Sequence, residues 1–398
     1  MPRTDQPARR AVVRAVMSGL RDGWLIIGIT LALFTFLEVA YRAQSRIRGV
    51  SGGQSQEAVA GVTHPHAGQP WFRFRRPETG DRRRFDPYRS WWPNALASRY
   101  VNVDSAGRRV TPQSHAGAPG LRIFTLGGST MWGITHIDSL TIPAMLAREL
   151  EHAELPSVEV LNYAQSTFTL TQNLITLMLE LRRGNVPDAV VFLDGLNDIA
   201  TAWASGRAGM ITNEALAAQA FERGRLGFHG ELLGLARHSA LIRRVRIALG
   251  GPQWALPAAP SPEICAEIGA YYRNLVRQGV AIGEAFGIAV IFYFQPILGT
   301  SRKLLTPFEE SVRGPPAFDE LVRQCAAESD RQLADAVGRY YVPLHALFDA
   351  DTASVYTDAW GHLTVYGNER VARTMAEKLV PILRSRTAAP VEPAGRRF

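Results

Sequence analysis

The chain is 398 residues long, 46% apolar and 20% charged, with a formal net charge of +8. That composition excludes an intrinsically disordered chain, because it supplies enough apolar surface for one large core; length alone allows two or three domains. Only Cys265 and Cys325 are present, without CxxC or Cys/His spacing, so no metal site and no disulfide framework is implied, and whether the two pair stays open.

The positive charge is spread unevenly. Arg3, Arg9, Arg10, Arg14 and Arg21 lie near the N-terminus, and Arg73, Arg75, Arg76, Arg82, Arg83 and Arg84 interleave with aromatic and turn residues. A solvated arginine-rich linker explains the second cluster better than a nucleic-acid patch, since basic runs match such patches often by chance. No nucleic-acid partner is expected.

From Trp24 to Ala40 runs WLIIGITLALFTFLEVA, with Glu38 as its single charge. As a helix this is about 25 Å long, and Tyr41 and the stem of Arg21 can extend it across a bilayer. Cleavage as a signal peptide fits poorly: after Ala40 it would leave Glu38 at the −3 position, and after Ala43 it would leave Tyr41 there. The expectation is a signal anchor over 24–41, with 1–23 in the cytoplasm by the arginine count and the bulk of the chain outside. Residues 42–84 read as a linker or stalk, rich in Gly, Ser, Gln and Ala before the arginine cluster.

Residues 85–385 read as one α/β domain, opened by a leading segment over 85–118 that carries Trp91, Trp92, Tyr100 and Val101 between turn signals. Short apolar runs at 121–126, 158–161, 189–193 and 288–294, with a weaker one at 340–344, predict strands. They alternate with helical spacing at 142–152, 171–183, 262–285, 318–337 and 365–383. Near-continuous apolar strands between helices imply a parallel sheet covered on both faces. Residues 201–260 break the alternation as an insertion containing an amphipathic stretch from Glu231 to Leu249, and 386–398 form a C-terminal tail.

Three segments carry chemistry. The first strand runs into Gly127-Gly128-Ser129-Thr130, where two glycines permit a tight turn that exposes a hydroxyl and frees backbone N–H groups for an oxyanion. The third strand ends in Asp194-Gly195-Leu196-Asn197-Asp198, which brings an amide to the same sheet edge; a plain Asx turn is the ordinary alternative. Near the C-terminus, Asp358-Ala359-Trp360-Gly361-His362 places an imidazole in a loop beside a carboxylate, as a general base oriented by an acid requires. Neither GxxxxGK[ST] nor GxGxxG is present, so no nucleotide or other cofactor is called for.

In order, spacing and context these segments resemble the signature blocks of the SGNH (GDSL-like) hydrolases over about residues 120–383. Gly127 to Thr130 stands where that family has Gly-Asp-Ser, Gly195 to Asp198 matches Gly-x-Asn-Asp, and Asp358 to Thr364 looks like Asp-x-x-His-Leu-(Ser/Thr). The resemblance implies a three-layer α/β/α fold with a flavodoxin-like parallel sheet. It also implies an ester hydrolase in which Ser129 is the nucleophile, His362 its base and Asp358 the acid. Ser129, Thr167 and Asn197 would form the oxyanion hole.

Two departures stand out. In Asn162 to Phe168, Thr167 occupies the position of a glycine, and Asp358 lies four residues before His362 instead of three, with Gly361 placed to absorb the extra residue and Asp349 and Asp351 as weaker substitutes. The expected partners are an ester substrate, acylated glycan or lipid among the candidates, and a membrane through 24–41. Two other readings stay open: an O-acyltransferase acting on an envelope glycan, against which Leu363 after His362 leans, and a non-catalytic glycan-binding protein on a hydrolase fold.

Overall fold

The structure, a computed structural model, describes residues 6–51, 58–59, 62–72, 83–112, 120–153, 155, 157–212, 214, 221 and 262–388. Two compact units divide the chain: one holds 1–54 and 218–255, the other 55–217 and 256–398.

In the first unit, helix α1 spans Gln6–Ser51. Within it Met17–Ala40 is long and apolar enough to cross a membrane, with a mean hydropathy of 2.0 and no residue of that window buried. At 1.5 Å per residue these 24 residues cover about 36 Å, more than a bilayer's hydrocarbon core of about 30 Å. Thr30 and Thr35 donate their hydroxyls to the carbonyls of Ile26 and Leu31, each at 2.8 Å, so neither is left unpaired on an apolar face. The helix overruns the expected 24–41 at both ends. Residues such as Ala40, Arg42, Ala43, Gln44 and Arg46 favour helix, and the next strong breaker is the Gly52-Gly53 pair.

The second unit opens earlier than the expected stalk boundary. His64, His66, Trp71 and Phe72 are all buried, and the His66 ring nitrogen Nε2 accepts the backbone N–H of Val365 at 3.3 Å. The segment 62–72 is therefore packed structure and not stalk, because its aromatic and imidazole rings stack against one another and on Phe308 and His136. A hairpin follows, strand β1 (Arg83–Asp86) against β2 (Ser90–Pro93), in which Trp91 and Trp92 turn inward. Residues 73–82 and 113–119, with Arg73, Arg75, Arg76 and Arg82, lie outside the described residues.

The main sheet contains β3 (Leu121–Gly127), β4 (Val158–Asn162), β5 (Ala189–Asp194), β6 (Ala289–Phe294) and β7 (Tyr341–Pro343), all parallel, in the spatial order β4-β3-β5-β6-β7. This is the flavodoxin-like order, and it reverses direction between β3 and β5. Side-chain alternation splits the core in two. Phe124, Leu126, Val190, Phe192, Phe292 and Phe294 face one layer, while Ile123, Val191, Leu193, Ile291 and Tyr293 face the other.

On the first face pack α4 (Leu170–Arg182), α5 (Leu196–Ser205), α6 (Pro262–Phe286) and α8 (Pro316–Gln332), which contribute Leu174, Ile199, Ile268, Tyr272 and Leu321. On the second lie α3 (Ile142–Glu151) and α9 (Val365–Ala388), with Leu146, Leu150, Val371, Met375 and Leu379. Each such side chain, fully buried, contributes roughly 1.5–3 kcal/mol. Two short helices, α2 (Ser129–Trp132) and α7 (Pro307–Ser311), sit at the carboxyl edge and beside it.

Cys265 of α6 and Cys325 of α8 form a disulfide, settling the question their spacing left open. The insertion expected over 201–260 begins within α5, which runs on to Ser205. The amphipathic stretch from Glu231 to Leu249 and tail residues 389–398 lie outside the described residues. With a sequence separation of 60 between its cysteines, the disulfide restricts the unfolded chain by about 4 kcal/mol on chain-entropy grounds. The Cys265→Ala/Cys325→Ala double variant is expected to lose up to that amount, read as a lower urea midpoint; an unchanged midpoint would show the bond to be energetically silent.

Candidate functional site

The reversal between β3 and β5 opens a crevice at the carboxyl edge of the sheet, and the residues singled out in the sequence arrive there from four directions. Gly127 ends β3 opposite Leu193, and Ser129 starts α2 immediately beyond it. The turn is glycine-dependent. A Cβ on Gly127 would lie 2.5 Å from the Leu193 carbonyl oxygen, and one on Gly128 would lie 2.4 Å from Asn197 Nδ2.

His362 Nε2 lies 2.7 Å from Ser129 Oγ, and its Nδ1 lies 2.6 Å from Asp358 Oδ2. With Nδ1–H donating to the carboxylate, Nε2 is the acceptor facing the hydroxyl. The extra residue between acid and imidazole is absorbed by Gly361, whose φ of 74° lies in the left-handed region. Asp358 Oδ1 meanwhile accepts the N–H groups of Trp360 at 2.9 Å and His362 at 3.3 Å. Asp349 and Asp351 are engaged elsewhere, the first by the Arg302 N–H and the second by Arg370 and Tyr366.

The imidazole loop is pinned at its base and at its tip. Thr357 donates its backbone N–H to the His362 carbonyl at 2.8 Å, and Thr130, next to the serine, donates its hydroxyl to the Gly361 carbonyl at 3.1 Å. Beneath lies a fully buried ion pair, Lys303 Nζ to Glu309 Oε2 at 2.5 Å. The other Glu309 oxygen accepts the N–H groups of Val355 and Tyr356, where the loop begins. These bonds to cation and backbone hold the Glu309 carboxyl below the usual range although burial alone pushes it up.

Asn197 occupies the second position of α5, and its Nδ2 donates to the Phe168 carbonyl at 2.8 Å. This spends one of its two N–H bonds and fixes the amide against Gly128. Thr167 sits in the left-handed region at φ 67°, where a β-branched residue costs roughly 1–2 kcal/mol. The position demands a glycine-like backbone, and Thr167 adopts it. Its carbonyl accepts the Thr212 hydroxyl at 2.8 Å, which helps to hold that conformation, and its N–H has no hydrogen-bond partner among the described residues.

Other contributors had no sequence signal. Arg109 is fully buried and donates to Asp138 Oδ1 and to the carbonyls of Trp132, Gly133 and His136, clamping the loop after α2 to the leading segment. Arginine type and position alone do not distinguish it from its exposed neighbours. Behind Asn197, Asp198 accepts the Leu170 N–H, and Asp194 accepts Asn173 Nδ2 at 2.7 Å. Burial pushes the Asp198 carboxyl up to about 7, and burial together with the Asp198 charge drives Asp194 well above its ordinary value. Among the described residues no cluster of three or more His, Cys, Asp or Glu residues can hold a metal ion.

No protein-family model matches the chain, and no curated protein matches it in sequence. Among solved structures it is similar to a catalytic mutant of Axe2, an acetylxylan esterase from Geobacillus stearothermophilus, at 14% identity over 66% of this chain and 95% of that one, with a TM-score of 0.36. Est24, a carbohydrate acetylesterase from Sinorhizobium meliloti, aligns at 12% identity over 66% of this chain and 99% of its own, TM-score 0.36. LAE5, an alpha/beta hydrolase enzyme from the metagenome of Lake Arreo, Spain, aligns at 14% over 67% and 97%, TM-score 0.37. Likeness at this level speaks to neither substrate nor mechanism, which rest on side-chain geometry.

Gly128→Ala is expected to push the Asn197 amide aside and, if that amide serves the reaction, to cut turnover by about 10²- to 10³-fold with the circular dichroism spectrum unchanged. Full turnover would show that the amide is not used. Asp198 makes a second prediction. Between its ordinary 3.8 and about 7, the folded protein keeps a proton that the unfolded chain has lost, so stability falls as pH rises through that window. Asp198→Asn should therefore raise the urea midpoint at pH 8 and leave it unchanged near pH 4; a gain of equal size at both would refute the assignment.

Proposed function

We propose that the chain is a membrane-tethered serine esterase of the SGNH hydrolase kind, acting on an acyl ester, acetyl esters among them. The observation that carries this reading is the unbroken line Ser129 Oγ, His362 Nε2, His362 Nδ1, Asp358 Oδ2, with contacts of 2.7 and 2.6 Å. A serine hydroxyl is a weak nucleophile until a base accepts its proton, and an imidazole is a competent base once its other nitrogen is held by a carboxylate.

In the proposed reaction His362 Nε2 takes the proton as Ser129 Oγ attacks the ester carbonyl. The resulting oxyanion receives hydrogen bonds from the N–H groups of Ser129 and Thr167 and from the Asn197 amide. The imidazolium then protonates the alcohol oxygen, which leaves. Water, deprotonated by the same imidazole, attacks the acyl-enzyme and releases the acid. Asp358 stays ionised throughout, holding the imidazole tautomer and stabilising its protonated form. The Thr167 N–H is supported as a donor by its having no other partner among the described residues and by its left-handed, glycine-like backbone.

Tethering is supported by the apolar stretch Met17–Ala40, and the arginine excess before it supports an N-terminus in the cytoplasm and a catalytic domain outside. The Cys265–Cys325 disulfide supports the same orientation, since such bonds persist in oxidising compartments. The proposed organisation is thus a short cytoplasmic segment, one span, a connecting stretch and the hydrolase unit.

The test is hydrolysis of p-nitrophenyl acetate and butyrate by the full chain in detergent. Wild type should turn over at least one ester, Ser129→Ala and His362→Ala should fall to background, and Asn197→Ala should drop by about 10²- to 10³-fold. A folded wild type inert towards both esters, or a Ser129→Ala variant as active as wild type, would end this reading.

A further inference from the structure

Three buried histidines meet away from the catalytic pair. His64 and His66 belong to the segment 62–72, which turns back on itself through the Ala67 N–H to the His64 carbonyl at 2.8 Å and the Gln69 N–H to the His66 carbonyl at 3.1 Å. His136 lies in the loop after α2, with its ring centroid 5.1 Å from that of His66. Trp71 packs on His66 and His136, Phe72 packs on His64 and His66, and His64 meets Phe308 edge-on at 5.0 Å.

Each neighbour of this segment supports the candidate site. Phe308 precedes Glu309, whose carboxylate holds the start of the imidazole loop. Val365, which donates its N–H to His66 Nε2 at 3.3 Å, opens α9 just beyond His362. His136 accepts Arg109 at its carbonyl, in the loop that follows the helix begun by Ser129, and its Nδ1 lies 3.3 Å from Asn368 Nδ2 on α9. The segment therefore bridges the imidazole loop, α9 and the loop after the serine.

The ring chemistry makes that bridge conditional. His64 Nδ1 accepts the His66 N–H at 3.0 Å, and His66 Nε2 accepts the Val365 N–H. A backbone N–H can only donate, so each of these ring nitrogens presents a lone pair, whereas an imidazolium carries N–H at both positions and accepts at neither. The charged groups on the elements around the segment are paired among themselves: Lys303 with Glu309 and Arg313 with Glu310 at α7, Arg109 with Asp138 beside His136, and Arg370 with Asp351 on α9, where Glu369 is exposed.

We propose, resting on the esterase reading, that residues 62–72 are an acid-released strap in which neutral His64 and His66 act as positioning residues for the His362 loop. Protonation of either ring sets N–H against N–H and breaks the bond. Free imidazoles take up a proton near pH 6.5, so the strap is seated above that range and let go as the pH falls through it. Release frees the Val365 N–H and uncovers Phe308, and the loop that carries His362 loses restraint on both sides. A displacement of about 1 Å at the reacting atoms costs on the order of 10²-fold in turnover.

The test uses the full chain in detergent with p-nitrophenyl acetate. His66→Ala should lower kcat at pH 8 by about 10- to 100-fold with KM little changed, and His66→Gln, whose Oε1 stands where Nε2 accepts, should restore it. On the acid side log kcat of wild type should fall with a slope steeper than about 1, because the strap protons add to that of His362. In His64→Asn/His66→Gln, whose amide oxygens accept without titrating, the slope should return to about 1. A wild-type slope of about 1, or a His66→Ala variant as active as wild type, overturns the strap. Hydrogen exchange separates it from the esterase reading. After correction for intrinsic exchange rates, peptides over 62–72 and 362–368 should be protected at pH 8 and lose protection at pH 5.5 in wild type, and the double variant should keep it at both. That pattern supports the strap even in a protein that hydrolyses no ester, and wild-type protection equal at the two pH values overturns it.

Discussion

Ser129 and His362 are 233 residues apart in the chain, and the hydrogen bond between them is the contact towards which the rest of the fold is arranged. It requires two segments from opposite ends of the α/β unit to meet within a few tenths of an ångström. One is carried by β3, whose position is fixed by hydrogen-bonded neighbours on both sides, β4 and β5. The other is a loop with no sheet neighbours of its own, and it needs separate restraint. Thr130 supplies it from the serine side by reaching the Gly361 carbonyl, and Glu309 supplies it from below by accepting the two N–H groups at the start of the loop. A buried carboxylate that serves as a backbone anchor needs its own cation, and Lys303 fills that role.

The same logic explains why small residues surround the serine. Two backbone segments and an amide must approach one hydroxyl more closely than side chains allow. Gly127 lets β5 stay in register beside the turn, and Gly128 gives the Asn197 amide its place. Thr167 is the exception in kind but not in conformation, since it takes up a left-handed backbone and its carbonyl is held by Thr212. A strained residue persists only where its surroundings determine it, and it does so here next to the candidate nucleophile.

The buried acids behind the site show the cost of that crowding. Asp194 and Asp198 are brought close by the strand-to-helix turn that presents Asn197, and both are driven towards their neutral forms. Their hydrogen bonds to Asn173 and to the Leu170 N–H tie the turn to α4. Stability spent in this region fixes the orientation of the amide.

Much of the architecture was legible in the sequence. Strands of a doubly covered parallel sheet are short continuous apolar runs, and the helices between them repeat every three to four residues; all five strands and helices α3, α4 and α6 fall within a residue of where those patterns place them, α8 and α9 differ more at their C-terminal ends, and α5 and α7 were not among the predicted helices. The candidate residues Ser129, Asn197 and His362 could be singled out as well, because a glycine-flanked strand end, a second strand end with an amide and a His-Asp loop occur together in chain order. The long apolar stretch was visible in composition, although the ends of its helix were not, since the helix runs on through the polar, helix-favouring residues that flank the stretch. Other features depend on contacts between distant segments, which no local pattern encodes. Pairing of Cys265 with Cys325, docking of His66 onto α9, the Arg109 clamp and the Lys303–Glu309 pair are of this kind. So is the reach of Asp358 across its extra residue: the sequence could offer Gly361, but only the folded loop decided that a φ of 74° closes the 2.6 Å contact.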